Sequence, residues 1–456
     1  MISRKTTFWI LVINSILFSC SVKENKTESK SQEPMEFKSS IDKLAEVWYP
    51  RTIDSLNGGF YSNYDYKWEK EKYQTKMIVT QTRHIWTTSI LAEYYQDDKY
   101  LDIATHGFHF LKDKMWDQTY GGFNTFAEVE NGVFTPKSDY KTAYGNSFAI
   151  YGLATYYKLS KDTSALNLAK KTFLWLEEHS RDPEYGGYFN ILQPDGSWSY
   201  LQPNGQGIPA YAASRWKDMN SSIHLLESFS ALYEVWPDPL VKERLGELLT
   251  IISQTIFTEK GYMSLFLEKD WAPVSYKDSL TEVREQNIQF DHVSFGHDVE
   301  TAFLMLEAAH VLGIDNSEIL TQAKKIVDHS IDNGWDEKNG GFYDYGYYFT
   351  KDSCTIIRDD KVWWTQAEGL NSLLMMSKLF PNEKKYEQLF QKQWQYIDTY
   401  FVDKENGGWY ADGADVKPDT KTARKASMWK INYHNIRSLI NCQKMVDGNF
   451  ALTASH

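Results

Sequence analysis

After residue 37, apolar positions recur at three- and four-residue intervals, interrupted at regular distances by Gly-Gly-aromatic tetrads. The periodicity predicts twelve helices, near 38–49, 77–95, 98–115, 142–158, 162–179, 219–235, 238–256, 297–312, 316–332, 363–379, 383–401 and 429–445. The interruptions are Gly58-Gly-Phe-Tyr61, Gly121-Gly-Phe-Asn124, Gly186-Gly-Tyr-Phe189, Gly340-Gly-Phe-Tyr343 and Gly407-Gly-Trp-Tyr410, with Lys260-Gly-Tyr-Met263 as a worn sixth copy. Their spacing of about 63 to 80 residues is too long for the common helical solenoids but leaves room for two helices and a decorated loop. Each tetrad falls after the second helix of a pair, where glycine permits positive φ and the aromatic residue can open a short strand.

Six helical hairpins are best closed into an all-α (α/α)6 barrel with an inner and an outer ring and short β-hairpin loops, since closure leaves no repeat end exposed. No proline- or serine-rich linker interrupts the chain after residue 37, so residues 38–446 are expected to form one domain, followed by a tail at 447–456. The stretch 195–217 carries Trp198, Pro203, Gly205, Gly207 and Pro209. A loop of that length is expected to cover a pocket.

The first residues change the picture of where the barrel works. Arg4 and Lys5 precede a mostly apolar run from Phe8 to Phe18, and Leu17-Phe-Ser-Cys20 resembles a bacterial lipobox. Residues 1–20 therefore predict a lipoprotein signal peptide with Cys20 as the lipidated residue, and the polar stretch 21–37 a flexible tether. The expected location is the bacterial cell envelope, lipid-anchored and facing the periplasm or the outside, with no membrane contact beyond the anchor. A net charge of −12 argues against nucleic acid as a partner. Aromatic residues make up 15% of the chain, a surplus that would suit a carbohydrate cleft, where ring faces cover the C–H faces of sugars. Cys354 and Cys442 could form one disulfide or stay as thiols, and neither lies at zinc-ligand spacing.

Candidate chemistry centres on Asp291-His-Val-Ser-Phe-Gly-His-Asp-Val-Glu300, which runs into a helical pattern. With Gly296 or Ser294 at the cap, His297 and Glu300 share one face at the helix mouth, where a carboxylate can hold the imidazole tautomer. Asp218-Met-Asn-Ser-Ser-Ile-His224 and Met428-Trp-Lys-Ile-Asn-Tyr-His434 repeat the arrangement, and three such histidines suggest one shared pocket. For each alone, a helix-capping histidine is the competing reading. His84, His106, His109, His179, His310 and His329 lie within helical patterns without partner motifs and are assigned structural or surface roles, while His292 stays ambiguous.

Six segments, in order, resemble the N-acylglucosamine 2-epimerase superfamily and within it the cellobiose 2-epimerases: Arg83-His-Ile-Trp86, Ala143-Tyr-Gly-Asn-Ser-Phe-Ala-Ile-Tyr151, Met219-Asn-Ser-Ser-Ile-His-Leu-Leu-Glu227, Phe295-Gly-His-Asp-Val-Glu300, Trp363-Trp-Thr-Gln-Ala-Glu368 and Trp429-Lys-Ile-Asn-Tyr-His-Asn435. The resemblance spans about residues 38 to 445. It implies the same barrel, inversion or isomerisation at C2 of a reducing-end sugar, His224, His297 and His434 as catalytic residues, and Arg83, Tyr144, Asn220, Glu300, Trp364 and Trp429 as substrate-binding residues. The choice between Trp363 and Trp364 is open by one position. Two departures concern the substrate: Ser222 stands where cellobiose 2-epimerases commonly carry a histidine, and Lys430-Ile-Asn replaces a more usual Cys-Pro.

The C2 proton of an open-chain aldose is acidic because the C1 carbonyl accepts charge as an enediolate. Epimerisation needs a base on one face and an acid on the other, and imidazoles titrating near neutrality suit both roles. The resemblance implies that His297 and His434 take those roles; His224 and Arg83 would then stabilise the C1 and C2 oxygens, and Glu300 would orient the sugar or its neighbouring histidine. No metal and no cofactor is implied. The expected partner is a small oligosaccharide, preferably a β-linked glucose or mannose disaccharide, and the expected state a monomer or weak dimer. The rivals are an N-acetylglucosamine 2-epimerase or mannose isomerase of the same superfamily, a glycoside hydrolase on an (α/α)6 scaffold, which needs two carboxylates across the scissile bond, and a non-catalytic glycan-binding lipoprotein.

Overall fold

Six helices are buried on nearly every face: α2 (Ile78–Tyr95), α4 (Ala143–Ser160), α6 (Met219–Val235), α9 (Phe295–Leu312), α11 (Trp363–Leu379) and α13 (Tyr433–Val446). They pack in that order, and α13 returns to α2, closing an inner ring. Six helices with one apolar stripe wrap them: α1 (Phe37–Trp48), α3 (Asp98–Phe110), α5 (Thr163–His179), α7 (Pro239–Ile251), α10 (Ser317–Gly334) and α12 (Lys384–Tyr400). An inner helix surrounded by its neighbours needs apolar residues all round, whereas an outer helix faces solvent on one side. Because α1 packs on α13, the first and last helices form the sixth hairpin and the barrel closes through its chain ends.

This computed structural model describes residues 37–130, 133–137, 140–198 and 216–449. The twelve helices expected from periodicity are all present, joined by one short addition, α8 (Thr281–Asn287). The last begins later than expected, at Tyr433, which leaves Trp429 in the preceding loop. The signal peptide, Cys20, nearly all of the tether and most of the loop at 195–217 lie outside the described residues. No described helix is long and apolar enough to cross a membrane. Cys354 and Cys442 are both free thiols.

Short strands ring the mouth of the barrel. β1 (Lys76–Met77), β4 (Lys141–Thr142), β6 (Lys217–Asp218) and β8 (Val293–Ser294) each lead into an inner helix. They pair antiparallel with β2 (Phe126–Glu130), β5 (Ile191–Leu192), β7 (Phe266–Leu267) and β9 (Tyr345–Tyr348), each of which follows the next outer helix, so every loop is tied to its neighbour. β3 (Val133–Pro136) and β10 (Cys354–Arg358) extend two of these pairs.

The Gly-Gly tetrads anchor those loops by a repeated buried ion pair. An aspartate four residues before the first glycine closes the turn, and a lysine shortly before the next inner helix reaches its carboxylate. Lys76–Asp54, Lys141–Asp117, Lys217–Asp182 and Lys361–Asp336 are 2.6–2.8 Å apart, and Lys425 binds Asp403 in the same way. In the worn copy Thr258 and Val293 stand at the two positions, and Tyr262, Val293, Phe295 and Tyr348 pack there as an apolar cluster. Both charges are absent together, as they should be, because one buried charge without the other would carry an uncompensated desolvation cost. The glycines are required sterically: Gly122 has φ +68°, and a Cβ there would sit 2.8 Å from the Trp175 ring.

Candidate active site

The N-terminal ends of the inner helices converge beneath the strand ring, and the sixth residues of these helices are Arg83, Phe148, His224, Glu300, Glu368 and Ser438. Above them opens a cavity of about 500 Å³, lined by Tyr144, Asn220, His292, His297, Tyr345 and Trp429 among others. Its size and mixed aromatic and polar lining suit a small polar ligand.

Each of the three candidate histidines is held through Nδ1. His224 Nδ1 lies 2.9 Å from Glu227 Oε2, His434 Nδ1 lies 2.7 Å from Glu368 Oε1, and His297 Nδ1 lies 2.7 Å from Ser294 Oγ. No Nε2 of the three has a protein partner among the described residues, so each imidazole presents one unengaged nitrogen. A hydrogen bond at one ring nitrogen decides the tautomer and so the state of the other. The expected pairing of His297 with Glu300 does not occur. Ser294 at the helix cap takes the imidazole, and Glu300 turns toward α13, 3.9 Å from His434 Nδ1. A capping hydroxyl three residues back is the nearer partner, and the carboxylate is drawn instead to a cation.

That cation is Arg437, which the sequence reading did not single out. Buried at the centre of the ring, its guanidinium donates to Glu227, Glu300 and Glu368 and, at 2.6 Å, to the Tyr433 hydroxyl. Tyr433 in turn donates to Glu227 at 2.7 Å. Although burial opposes its charge, Glu368, Tyr433 and Glu227 hold Arg437 well above the ordinary range. Burial would raise Glu227, but Arg437 and His224 draw it down to about 2, while burial prevails at Glu368 and raises it. Glu300, Glu368 and His434 bring three possible metal ligands within 4.8 Å of one another. The Arg437 guanidinium binds both carboxylates, so their charge is already met by a protein cation.

Burial pushes His297 down to about 4 and His434 well below the ordinary histidine range. The expectation of titration near neutrality is corrected accordingly. Enclosure among rings and helix ends disfavours the imidazolium more than Glu300 favours it, and both histidines are neutral bases at pH 7.

Aromatic residues connect the groups. Of the two tryptophans left open, Trp364 stands beside the histidines, its ring centroid 4.7 Å from that of His297 and 5.8 Å from that of His434. Gly296 permits this, since a Cβ there would meet the Trp364 ring at 2.6 Å. Tyr144 and Phe148 pack on His224, with centroids 5.3 and 4.7 Å away. Arg83 donates to the Tyr144 hydroxyl at 3.1 Å and lies over the Phe148 and Tyr433 rings. Its Nε and the Asn220 Oδ1 are buried without partners, a donor and an acceptor left for a ligand. Trp429, 50% exposed, stands at the rim. His292 also lines the cavity, 3.9 Å from the Tyr345 ring. His84, His106 and His329 bond to Tyr49, the Gly59 carbonyl and Tyr348 in the structural roles expected of them. Ser222, at the position of the expected family histidine, bonds the Asp218 carbonyl.

The residues missed by the sequence reading, Glu227, Glu368, Tyr433 and Arg437, carried a signal nonetheless. Two end the quoted segments, Glu368 is at the same helical position as Glu300, and Arg437 follows His434 by three residues.

Residues 59–438 match the N-acylglucosamine 2-epimerase (GlcNAc 2-epimerase) family. The chain is 27% identical over 406 residues to a cellobiose 2-epimerase of Bacteroides fragilis, covering 87% of this chain and 95% of that one. It is 22% identical over 405 residues to a D-mannose isomerase of Marinomonas mediterranea, covering 87% and 93%. Its fold superposes on the cellobiose 2-epimerase structure from Bacillus thermoamylovorans with a TM-score of 0.77 at 23% identity, over 90% of this chain and 98% of that one. The fold is the (α/α)6 barrel, and the chain belongs to the N-acylglucosamine 2-epimerase family, carbohydrate epimerases of the isomerase class.

Proposed function

We propose that this enzyme inverts C2 of the reducing-end residue of a β-linked disaccharide, cellobiose or mannobiose, through an enediolate. The observation that carries the reading is the set of three imidazoles pinned at Nδ1 with Nε2 unengaged, one of which, His297, stands in the wall of a cavity lined by aromatic rings. A ring-opened sugar places its C2–H between His297 and His434. One imidazole, neutral, takes the proton at Nε2 while the other, first charged with a proton from solvent, gives its Nε2 proton to the opposite face, so the two exchange protonation states at each turnover. Negative charge gathering on the C1 and C2 oxygens is met by Arg83 and His224. Asn220 accepts from a sugar hydroxyl, Tyr144 holds Arg83, Trp364 packs against the reacting residue, and Trp429 offers a face to the second ring. Glu300 and Glu368, bridged by Arg437, keep His434 in register. The lipobox-like segment ending at Cys20 would place this activity in the cell envelope.

The mannose isomerase relative supports a second reading, in which the same enediolate is protonated at C1 to give a ketose from a monosaccharide. Proton NMR of cellobiose, mannobiose, mannose and N-acetylglucosamine in D2O separates the two. The proposal expects deuterium at C2 together with the epimer of a disaccharide. Ketose from mannose without disaccharide turnover supports the isomerase, and no exchange with any sugar defeats both.

A further inference from the structure

At the opposite end of the inner ring lies a second cavity, of about 190 Å³, between α2, α4, α6, α9 and α13. Its inner wall is the back of the site already described, for Glu227 and Arg437 line it. It has room for about six waters at liquid density, and it holds polar atoms that need them. Arg437 Nε and Asn441 Nδ2 are buried without partners, and both residues line this cavity.

Glu307, itself only partly buried, lines the same cavity from α9, between the buried residues Leu304, Met305, Leu306, Ala308 and Ala309. The other charged groups facing it are matched. Glu227 has Arg437, Glu234 has Lys158 at 3.1 Å, and Glu93 has Lys444 at 3.9 Å. Tyr151 faces it from α4, and α7, α10 and α11 supply no lining residue. Glu307 has no hydrogen bond or ion pair among the described residues. A partly buried carboxyl in an apolar helical stretch, beside a carboxylate and without an ion-pair partner of its own, calls for a role.

We propose that this cavity is a hydrated port behind the active site and that Glu307, by taking up or releasing a proton there, sets the charge felt by the Glu227–His224 pair. The proposal rests on the epimerase reading, in which His224 stabilises the sugar oxygens. Burial, followed by the Glu227 charge, pushes Glu307 up to about 8, so the carboxyl is neutral at pH 7 and ionises in mild alkali. An added negative charge behind Glu227 opposes charge build-up on the enediolate oxygens, and turnover should fall as pH passes through this range. Glu307 is a positioning residue, acting through Glu227 and His224 without touching substrate.

The test compares wild type with Glu307→Gln, which keeps the shape of the neutral carboxyl but cannot ionise. C2 exchange is followed from pH 6 to 10, and the His224 ring proton, assigned by its loss in His224→Phe, is titrated by NMR without substrate. The expected result is a fall in wild-type kcat by about fivefold near pH 8, the low end of typical coupling between sites, with KM unmoved. The His224 resonance should show an inflection in the same range, and both effects should be absent from Glu307→Gln. Superimposable kcat profiles and identical His224 titrations overturn the proposal, as does a change confined to thermal stability. If wild type exchanges no sugar but the His224 inflection is present and lost in Glu307→Gln, the coupling stands and the epimerase reading falls.

Discussion

The two sides of the cleft hold their histidines by different means. On the α11/α13 side, His434 bonds Glu368, which shares Arg437 with Glu300 and Glu227. On the α9 side, His297 bonds only the neutral Ser294 hydroxyl. A carboxylate stabilises an imidazolium once it forms, whereas a hydroxyl fixes the ring without lending charge. The two bases should therefore be unequal, with His434 the more dependent on its supports, so that removal of the proton from one epimer and from the other need not be equally fast.

The largest effect should come from removing either base. His297→Ala and His434→Ala should each lower kcat by about 10³-fold or more, and C2 deuterium exchange should be lost in both. If one variant still exchanges the C2 proton of one epimer with solvent, the side of the sugar that each histidine serves is identified.

Glu368→Gln should come next, with a loss on the order of 10²-fold in kcat and little change in KM, because it removes the charge that supports His434. A loss no greater than that of the serine variant below would show that the two sides are held equally.

The pH profile follows. A histidine at its ordinary value would be mostly protonated at pH 5, about 30-fold in favour of the inactive acid form. Since burial holds His297 at about 4, it is still a free base at pH 5, and activity is lost only as pH falls through its depressed value. The expected kcat/KM at pH 5 is within about threefold of that at pH 7. An acid limb at pH 6 to 7 would mean that the site is wetter than the structure shows.

Ser294→Ala should cost least, about fivefold in kcat, the worth of one neutral hydrogen bond. Comparison with Glu368→Gln measures how far a charged support exceeds a neutral one.

Much of this was legible before any coordinates. The twelve helices follow from apolar periodicity, because a helix that must bury one face or all of them writes its pattern locally. His224, His297 and His434 were visible because each opens an inner helix, and glycine pairs marked the turns because few other residues tolerate their φ. The Lys–Asp pairs were less visible, since partners such as Lys76 and Asp54 belong to different turns and neither residue type suggests burial.

The sequence by itself determined the repeat, the order and type of the helices, and the residues that could do chemistry, because these depend on local spacing and on the inventory of side chains. Only the tertiary structure decided that Glu300 supports the His434 side and leaves His297 to Ser294, that Trp364 faces the site, and that Arg437 gathers three carboxylates. It also decided that His297 and His434 are held neutral. Closing the ring brings helices distant in the chain to one point, and there the partner of each charge is set by proximity and by exclusion of water, which no local pattern encodes.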